Sequence, residues 1–200
     1  MKQITNLSEL DLSGTYSYAD YLTWQFEQAV ELIKGKILPL AAPSRRHQDI
    51  LLALTFSVHP CVVKKGCSLY IAPFDVRLFD RRKSLKANKD VYSVIQPDIC
   101  VICDKSKLDD KGCIGAPDFV VEILSPGNSI REMKIKKNLY EENQVREYWI
   151  IDPERETAHQ FVLNDLGLFA PPVIYASDEN IHSEIFPDLV IELEALFKRE

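Results

Sequence analysis

Two short, largely apolar runs with an acid at Asp98 and at Glu122 constrain this chain more than any other feature. Asp98 opens the run QPDICVI, Glu122 stands late in PDFVVEIL, and the basic segment REMKIKK follows. Continuous apolar character over four or five residues marks a strand covered on both faces of a sheet. An acid inside or beside such a run is costly to bury unless it is paired or bound to a cation. The intervening loop DKSKLDDKGCIGAP suits an antiparallel pair with a long connection, so Asp98 at the start of one strand would lie beside Glu122 at the end of the next.

The segments around this pair alternate between helix and strand signals. TYSYADYLTW reads as a helix, with Ser17 and Asp20 spaced as a capping box. AVELI and KILPL flank Lys34-Gly35 like the arms of a hairpin. Ser44 caps an apolar stretch that runs as a helix through Val58, with Pro60 just beyond it. CSLYIA and DVRLF read as strands, and a charged loop runs from Asp80 to Tyr92. After Glu122, Pro126-Gly127-Asn128 breaks the chain, Ser129 caps, and a helix extends to about Asn143. EYWIID is a further buried strand, HQFVL-NDLG-LFA is hairpin-like, and PVIYA and IELEALF close the order. The expected class is α+β, a mixed central sheet flanked by helices, with an N-terminal helix and hairpin. With 46% hydrophobic residues and no repeat or linker, residues 1–200 are expected to form one domain.

Charge and cysteine usage exclude some functions. A net charge of -6 is not that of a protein that coats nucleic acid by bulk electrostatics, although basic residues cluster at Arg45-Arg46, Lys64-Lys65, Arg81-Arg82-Lys83 and between Arg131 and Lys137. Taken one at a time, such clusters read as solvated faces. No run reaches the roughly 18 to 20 apolar residues that span a bilayer. The start MKQITNLSELDL has no signal pattern, so the expected location is cytoplasmic, with no membrane partner. Five cysteines in such a chain make a disulfide framework unexpected. Cys100 and Cys103 have zinc-like spacing, but within a strand that spacing sends their side chains to opposite faces, so burial as small apolar residues is the better reading.

Two carboxylates followed by a lysine are the elements of a metal-assisted phosphodiester-cleaving site, in which magnesium is held by one or two carboxylates plus water and phosphate oxygens. The PD-(D/E)XK pattern wants its lysine two residues after the glutamate, where this chain has Leu124. Read alone, Asp98 is a turn residue after Pro97, Glu122 is equally a salt-bridge partner, and the lysines of the next helix form a solvated face.

The strings QPDICVICD, GAPDFVVEILSPGNS, Lys136-x-x-x-Tyr140 and REYWIIDPE, in this order and spacing, resemble the Uma-type restriction endonuclease family. AVELIKGKI and RRHQDI match its N-terminal segments, so the resemblance covers roughly residues 15 to 190. It implies a restriction-endonuclease-like fold with a magnesium-dependent hydrolase site, manganese being a substitute. It also implies that the lysine has moved to the following helix, where Lys136 holds the matching place. Lys134 and Lys137 compete for the role, but they differ from Lys136 by about 200° and 100° of helical azimuth, so one of the three should face the sheet. Glu31 aligns with a further acid of the family and reads equally as an outward strand residue. His47 and Gln48 match a helix-start pair suited to phosphate contact or to ordering Glu31, and Asp75 is a second-tier site carboxylate beside its reading as a solvated strand-edge residue. Tyr140, Tyr148 and Trp149 match as packing aromatics, Tyr140 helping to fix the helix that presents Lys136. Glu132 departs from the family, which has aspartate there.

Two functions follow. The first is a metal-dependent endonuclease acting on nucleic acid, DNA ahead of RNA, in which Asp98 and Glu122 bind the metal, Glu31 assists and Lys136 handles the attacking water. The second is a catalytically inactive nucleic-acid-binding or regulatory module on the same fold. A homodimer is a reasonable expectation for cutting a duplex. No helix-turn-helix or zinc finger is recognisable to read a sequence.

Overall fold

A computed structural model describes residues 3–79, 91–126 and 130–198. In chain order the helices and strands are α1 (Tyr18–Tyr21), β1 (Val30–Ile33), β2 (Lys36–Pro39), α2 (Arg45–Val63), β3 (Ser68–Ile71), β4 (Val76–Leu78), β5 (Ser93–Ile95), β6 (Ile99–Ile102), β7 (Leu108–Asp109), β8 (Gly112–Ile114) and β9 (Phe119–Ile123). They continue with α3 (Ile130–Glu142), β10 (Glu147–Asp152), β11 (Thr157–Val162), β12 (Val173–Tyr175), β13 (Asn180–His182), β14 (Val190–Glu192) and α4 (Leu193–Phe197). The charged loop expected from Asp80 falls largely, and the Ser129 cap wholly, outside the described residues.

The central sheet is mixed, in the order β12-β11-β10-β9-β6-β3. Strands β6 and β9 are antiparallel neighbours, with Ile99 opposite Val121, while β9 and β10 run parallel. Alternation along β9 and β10 divides their side chains between two cores. Phe119, Val121, Ile123, Trp149 and Ile151 face α2 and α4, whereas Val120, Tyr148 and Ile150 face the Leu139 and Tyr140 side of α3. Both faces are therefore covered, as unbroken apolar runs require.

A second six-stranded sheet, β2-β1-β5-β4-β8-β7, was not expected. It takes in the β1–β2 hairpin and contributes Ile33, Val76, Leu78, Ile95 and Cys113 to the core beneath α3. The hairpin closes through Lys34 and Gly35, both at positive φ (49° and 81°), the conformation whose twist matches the two strands. Among the expected helices, α1 is a single turn, with the Asp20 carboxylate accepting from the Ser17 main-chain N–H at 2.8 Å. The second helix is longer than expected: α2 continues through Pro60 to Val63. Pro60 has no N–H for the Phe56 carbonyl one turn back, and Phe56 is exposed, so water can take that acceptor.

The cysteine reading needs one correction. Cys67 and Cys103 form a disulfide, one step beyond the Ser68–Ile102 pair of the antiparallel β3–β6 ladder. That register brings together two residues 36 apart in sequence. Cys61, Cys100 and Cys113 are free thiols. Cys100 and Cys103 do lie on opposite faces of the sheet, in the two different cores.

At the far end of the sheet the C-terminal segment is tied down by a buried acid. Glu147 Oε1 accepts from Trp149 Nε1 and Gln160 Nε2, each at 2.7 Å. Its Oε2 accepts from Ser183 Oγ at 2.8 Å and from the Ile185 main-chain N–H at 3.0 Å. These donors anchor the β13–β14 region to β10.

Candidate active site

Glu122 belongs to the Val120 side of β9, so its carboxylate turns towards α3 rather than towards α2. Four residues separate Lys136 from Tyr140, which puts both on one helix face. Lys136 Nζ lies 3.0 Å from Glu122 Oε1, and the Tyr140 hydroxyl donates to the same oxygen at 2.5 Å. Glu31 arrives from β1, fully buried, with Oε1 3.0 Å from Lys136 Nζ. One ammonium thus bridges two buried carboxylates supplied by different sheets.

The other two lysines point elsewhere. Lys137 pairs with Glu141 at 3.3 Å and lies over the Phe169 ring, while Lys134 is exposed. Helical azimuth separates them as expected, and Lys136 is the one that faces the sheet.

Asp98 lies one step beyond the Ile99–Val121 pair, beside Glu122. Its Oδ2 accepts from the Ile123 main-chain N–H at 2.7 Å, and its Oδ1 is 3.2 Å from His47 Nε2. His47 is placed by the first turn of α2, where its own N–H donates to the Ser44 side chain. It therefore orders Asp98, and the suggested role of ordering Glu31 does not fit. Gln48, its neighbour, is exposed. Asp75 sits in an adjacent cluster with Tyr21 and Gln96 rather than at the lysine.

The electrostatics follow from burial. Removal from water, the largest influence, pushes the Glu122 carboxyl upward; Lys136 pulls it down, and Asp98 and Glu31 raise it further. Burial disfavours the Lys136 ammonium, but Glu122 and Glu31 outweigh it and hold the lysine above its ordinary range. Burial likewise opposes the His47 imidazolium, yet the hydrogen bond and charge of Asp98 shift that histidine upward overall. Glu31 Oε2 and His47 Nδ1 are buried with no hydrogen-bond partner among the described residues. A cavity of about 180 Å³ opens onto Glu31, Glu122 and Lys136 between the β2 arm, at Leu38 and Leu40, and Met133 of α3.

Two contributors escaped the sequence reading. Tyr140 was expected only to fix the helix, and its hydroxyl binds Glu122; the Lys-x-x-x-Tyr spacing was the available signal. Gln96, immediately before Pro97-Asp98, donates its main-chain N–H to Glu31 Oε1 at 2.9 Å. A main-chain contact leaves no trace in residue type.

The layered α+β arrangement is the restriction-endonuclease-like fold. A crystal structure from Anabaena variabilis, described as a putative nuclease belonging to DUF820, superposes with a TM-score of 0.69 at 20% identity, covering 90% of this chain and 97% of that one. The chain belongs to the Uma2 family, described as "Putative restriction endonuclease", which matches residues 18–194. No match to a curated protein was found. Among the described residues no helix is long and apolar enough to cross a membrane.

Proposed function

We propose that this protein is a metal-dependent endonuclease that hydrolyses phosphodiester bonds of nucleic acid, DNA ahead of RNA, using Asp98, Glu122, Lys136 and Glu31. The observation that carries the reading is the ammonium of Lys136, 3.0 Å from both Glu122 and Glu31 at the wall of a cavity, with Asp98 beside Glu122 on the neighbouring strand. Family membership points the same way.

The donor set suits a hard divalent ion. Asp98 and Glu122 are adjacent oxygen donors, and the unpartnered Oε2 of Glu31 is a further buried carboxylate oxygen close to the lysine. Among the described residues no group of three His, Cys, Asp or Glu side chains converges as a metal site. Two carboxylates completed by water and phosphate oxygens is nonetheless the usual habit of magnesium. Asp98 and Glu122 would hold it, and when bound it would supply charge neutralisation at the scissile phosphate.

The chain's own groups do the rest. Lys136 orients the attacking water and stabilises negative charge developing on the phosphate. Glu31 and Tyr140 fix the position of that ammonium and of the Glu122 carboxylate. His47 and the Ile123 N–H hold Asp98. We read residues 1–200 as one domain and a homodimer as the assembly suited to cutting both strands.

The test compares wild type with Glu122→Gln on plasmid, single-stranded DNA and RNA, in magnesium and in manganese. Metal-dependent cleavage by wild type and its loss in the variant are expected. Equal cleavage by both would sink the assignment, and cleavage by neither, with retained binding, would favour a non-catalytic module.

A further inference from the structure

Glu31 approaches Lys136 from a sheet that the motif residues do not belong to, so something must hold it there. Its Oε1 accepts the Gln96 main-chain N–H at 2.9 Å, and that residue is the last before Pro97-Asp98. The Gln96 side chain reaches the other way. Its Nε2 donates to Asp75 Oδ1 at 2.9 Å and lies 3.3 Å from the Tyr21 hydroxyl, which itself donates to Asp75 Oδ1 at 3.2 Å. Asp75 is clamped from behind: its carbonyl accepts the Cys113 N–H at 2.9 Å. Gly112 sits so close that an added Cβ would come within 2.1 Å of that carbonyl, at a φ of 119°. Burial, with the charge of Asp75, keeps the Tyr21 hydroxyl protonated and therefore a donor.

We infer that Tyr21, Asp75 and Gln96 form a positioning relay for the proposed nuclease site: Asp75 fixes the Gln96 side chain, and the Gln96 main chain in turn fixes Glu31 against Lys136. Asp75 then serves through its oxygen acceptor and not as a metal ligand. Its carboxylate is engaged by two neutral donors, Tyr21 and Gln96, and makes no contact with Lys136. The role rests on the nuclease reading, but the coupling between Asp75 and Glu31 exists whether or not the protein cleaves anything.

The experiment has two arms. In the first, unfolding equilibria are measured for wild type, Asp75→Ala, Glu31→Gln and the double variant. The relay predicts a coupling of about threefold or more in the unfolding constant, as found for residues joined through a shared network. Additive effects would overturn it. If Asp75→Ala does not fold, Gln96→Met, which removes the side-chain arm at nearly constant volume, replaces it in the cycle with the same criterion. In the second arm, cleavage is titrated with magnesium. Asp75→Asn retains an oxygen acceptor and should cleave within about threefold of wild type, whereas Asp75→Ala should lose about tenfold or more in kcat with its magnesium midpoint nearly unchanged. A magnesium midpoint raised about tenfold in both variants would make Asp75 a ligand and refute the relay. Absence of cleavage in wild type would remove the nuclease reading and leave the cycle to decide the relay.

Discussion

Glu122 and Glu147 are buried carboxylates on adjacent parallel strands of one sheet, and their surroundings differ in kind. Glu147 receives four neutral donors, two on each oxygen, and nothing about it is unfinished. Glu122 concentrates Tyr140 and Lys136 on one oxygen, shares that ammonium with Glu31, and faces a cavity. A buried acid with every lone pair answered by a fixed donor specifies a fold. One held by a cation that a second buried acid also claims is poised for chemistry, because part of its environment is left for a ligand.

The largest effect should separate the two acids by function. Glu122→Gln is expected to reduce cleavage by between about 10² and 10⁴-fold, the range associated with removing a group essential to proton handling or charge stabilisation. Stability should change little, because the substitution leaves Lys136 one acid and removes the repulsion between two. Denaturant midpoints beside cleavage rates check this. A large loss of stability would show that Glu122 belongs with Glu147 as a structural acid.

Lys136→Ala should be the most destabilising single change at the site, by about 3–5 kcal/mol, since it leaves two buried carboxylates without their cation. Lys137→Ala removes a half-exposed pair with Glu141 and should cost no more than about 0.5 kcal/mol. Urea unfolding of the two variants would expose a wrong helical register if the order were reversed. Next comes Glu147→Gln, in which an amide NH₂ would confront either the Ser183 hydroxyl and Ile185 N–H or the Trp149 and Gln160 donors. A cost of about 2–3 kcal/mol is expected, with cleavage per folded molecule unchanged.

How far these differences were legible depends on which part of a residue makes the contact. Strands β6 and β9 could be read because their short apolar runs admit few alternatives, whereas Lys136 was singled out by the family resemblance, helical spacing saying only that one of Lys134, Lys136 and Lys137 faces the sheet. The second sheet could not be assembled, although its hairpin and β4 were read as separate strands, since β5 and β8 are three residues each and too short to show a period. The Cys67–Cys103 link depends on the β3–β6 register, which no local signal fixes. Pro60 looked like a stop because its cost was counted without the exposure of Phe56. Glu31 was an even choice between strand surface and site: alternation places it, but only the packing of α3 across the sheets says what it meets. Gln96 acts on Glu31 through its main chain, where side-chain identity says nothing.

Asp152, at the opposite end of β10 from Glu147, tests whether satisfied acids rank by burial of their whole network. Its Oδ1 accepts the Glu154 and Arg155 N–H groups, each at 3.0 Å, and its Oδ2 accepts from the exposed Arg155 guanidinium at 2.9 Å. Burial alone would raise this carboxyl, but those donors outweigh it and hold it below the ordinary value. A depressed folded-state value means that the ionised carboxylate contributes stability above the unfolded value of about 3.9, and that this contribution fades as pH falls towards the folded value. Asp152→Asn keeps an acceptor for the turn and loses the charge, so it should cost about 1 kcal/mol at pH 7. The gap to wild type should narrow as pH falls below the unfolded value of about 3.9, read from urea midpoints across the acid range. A gap that did not narrow on acidification would assign the cost to turn geometry instead of charge. A cost equal to that of Glu147→Gln would break the ranking, because at Glu147 the three side-chain donors are buried, whereas at Asp152 water can replace the exposed guanidinium.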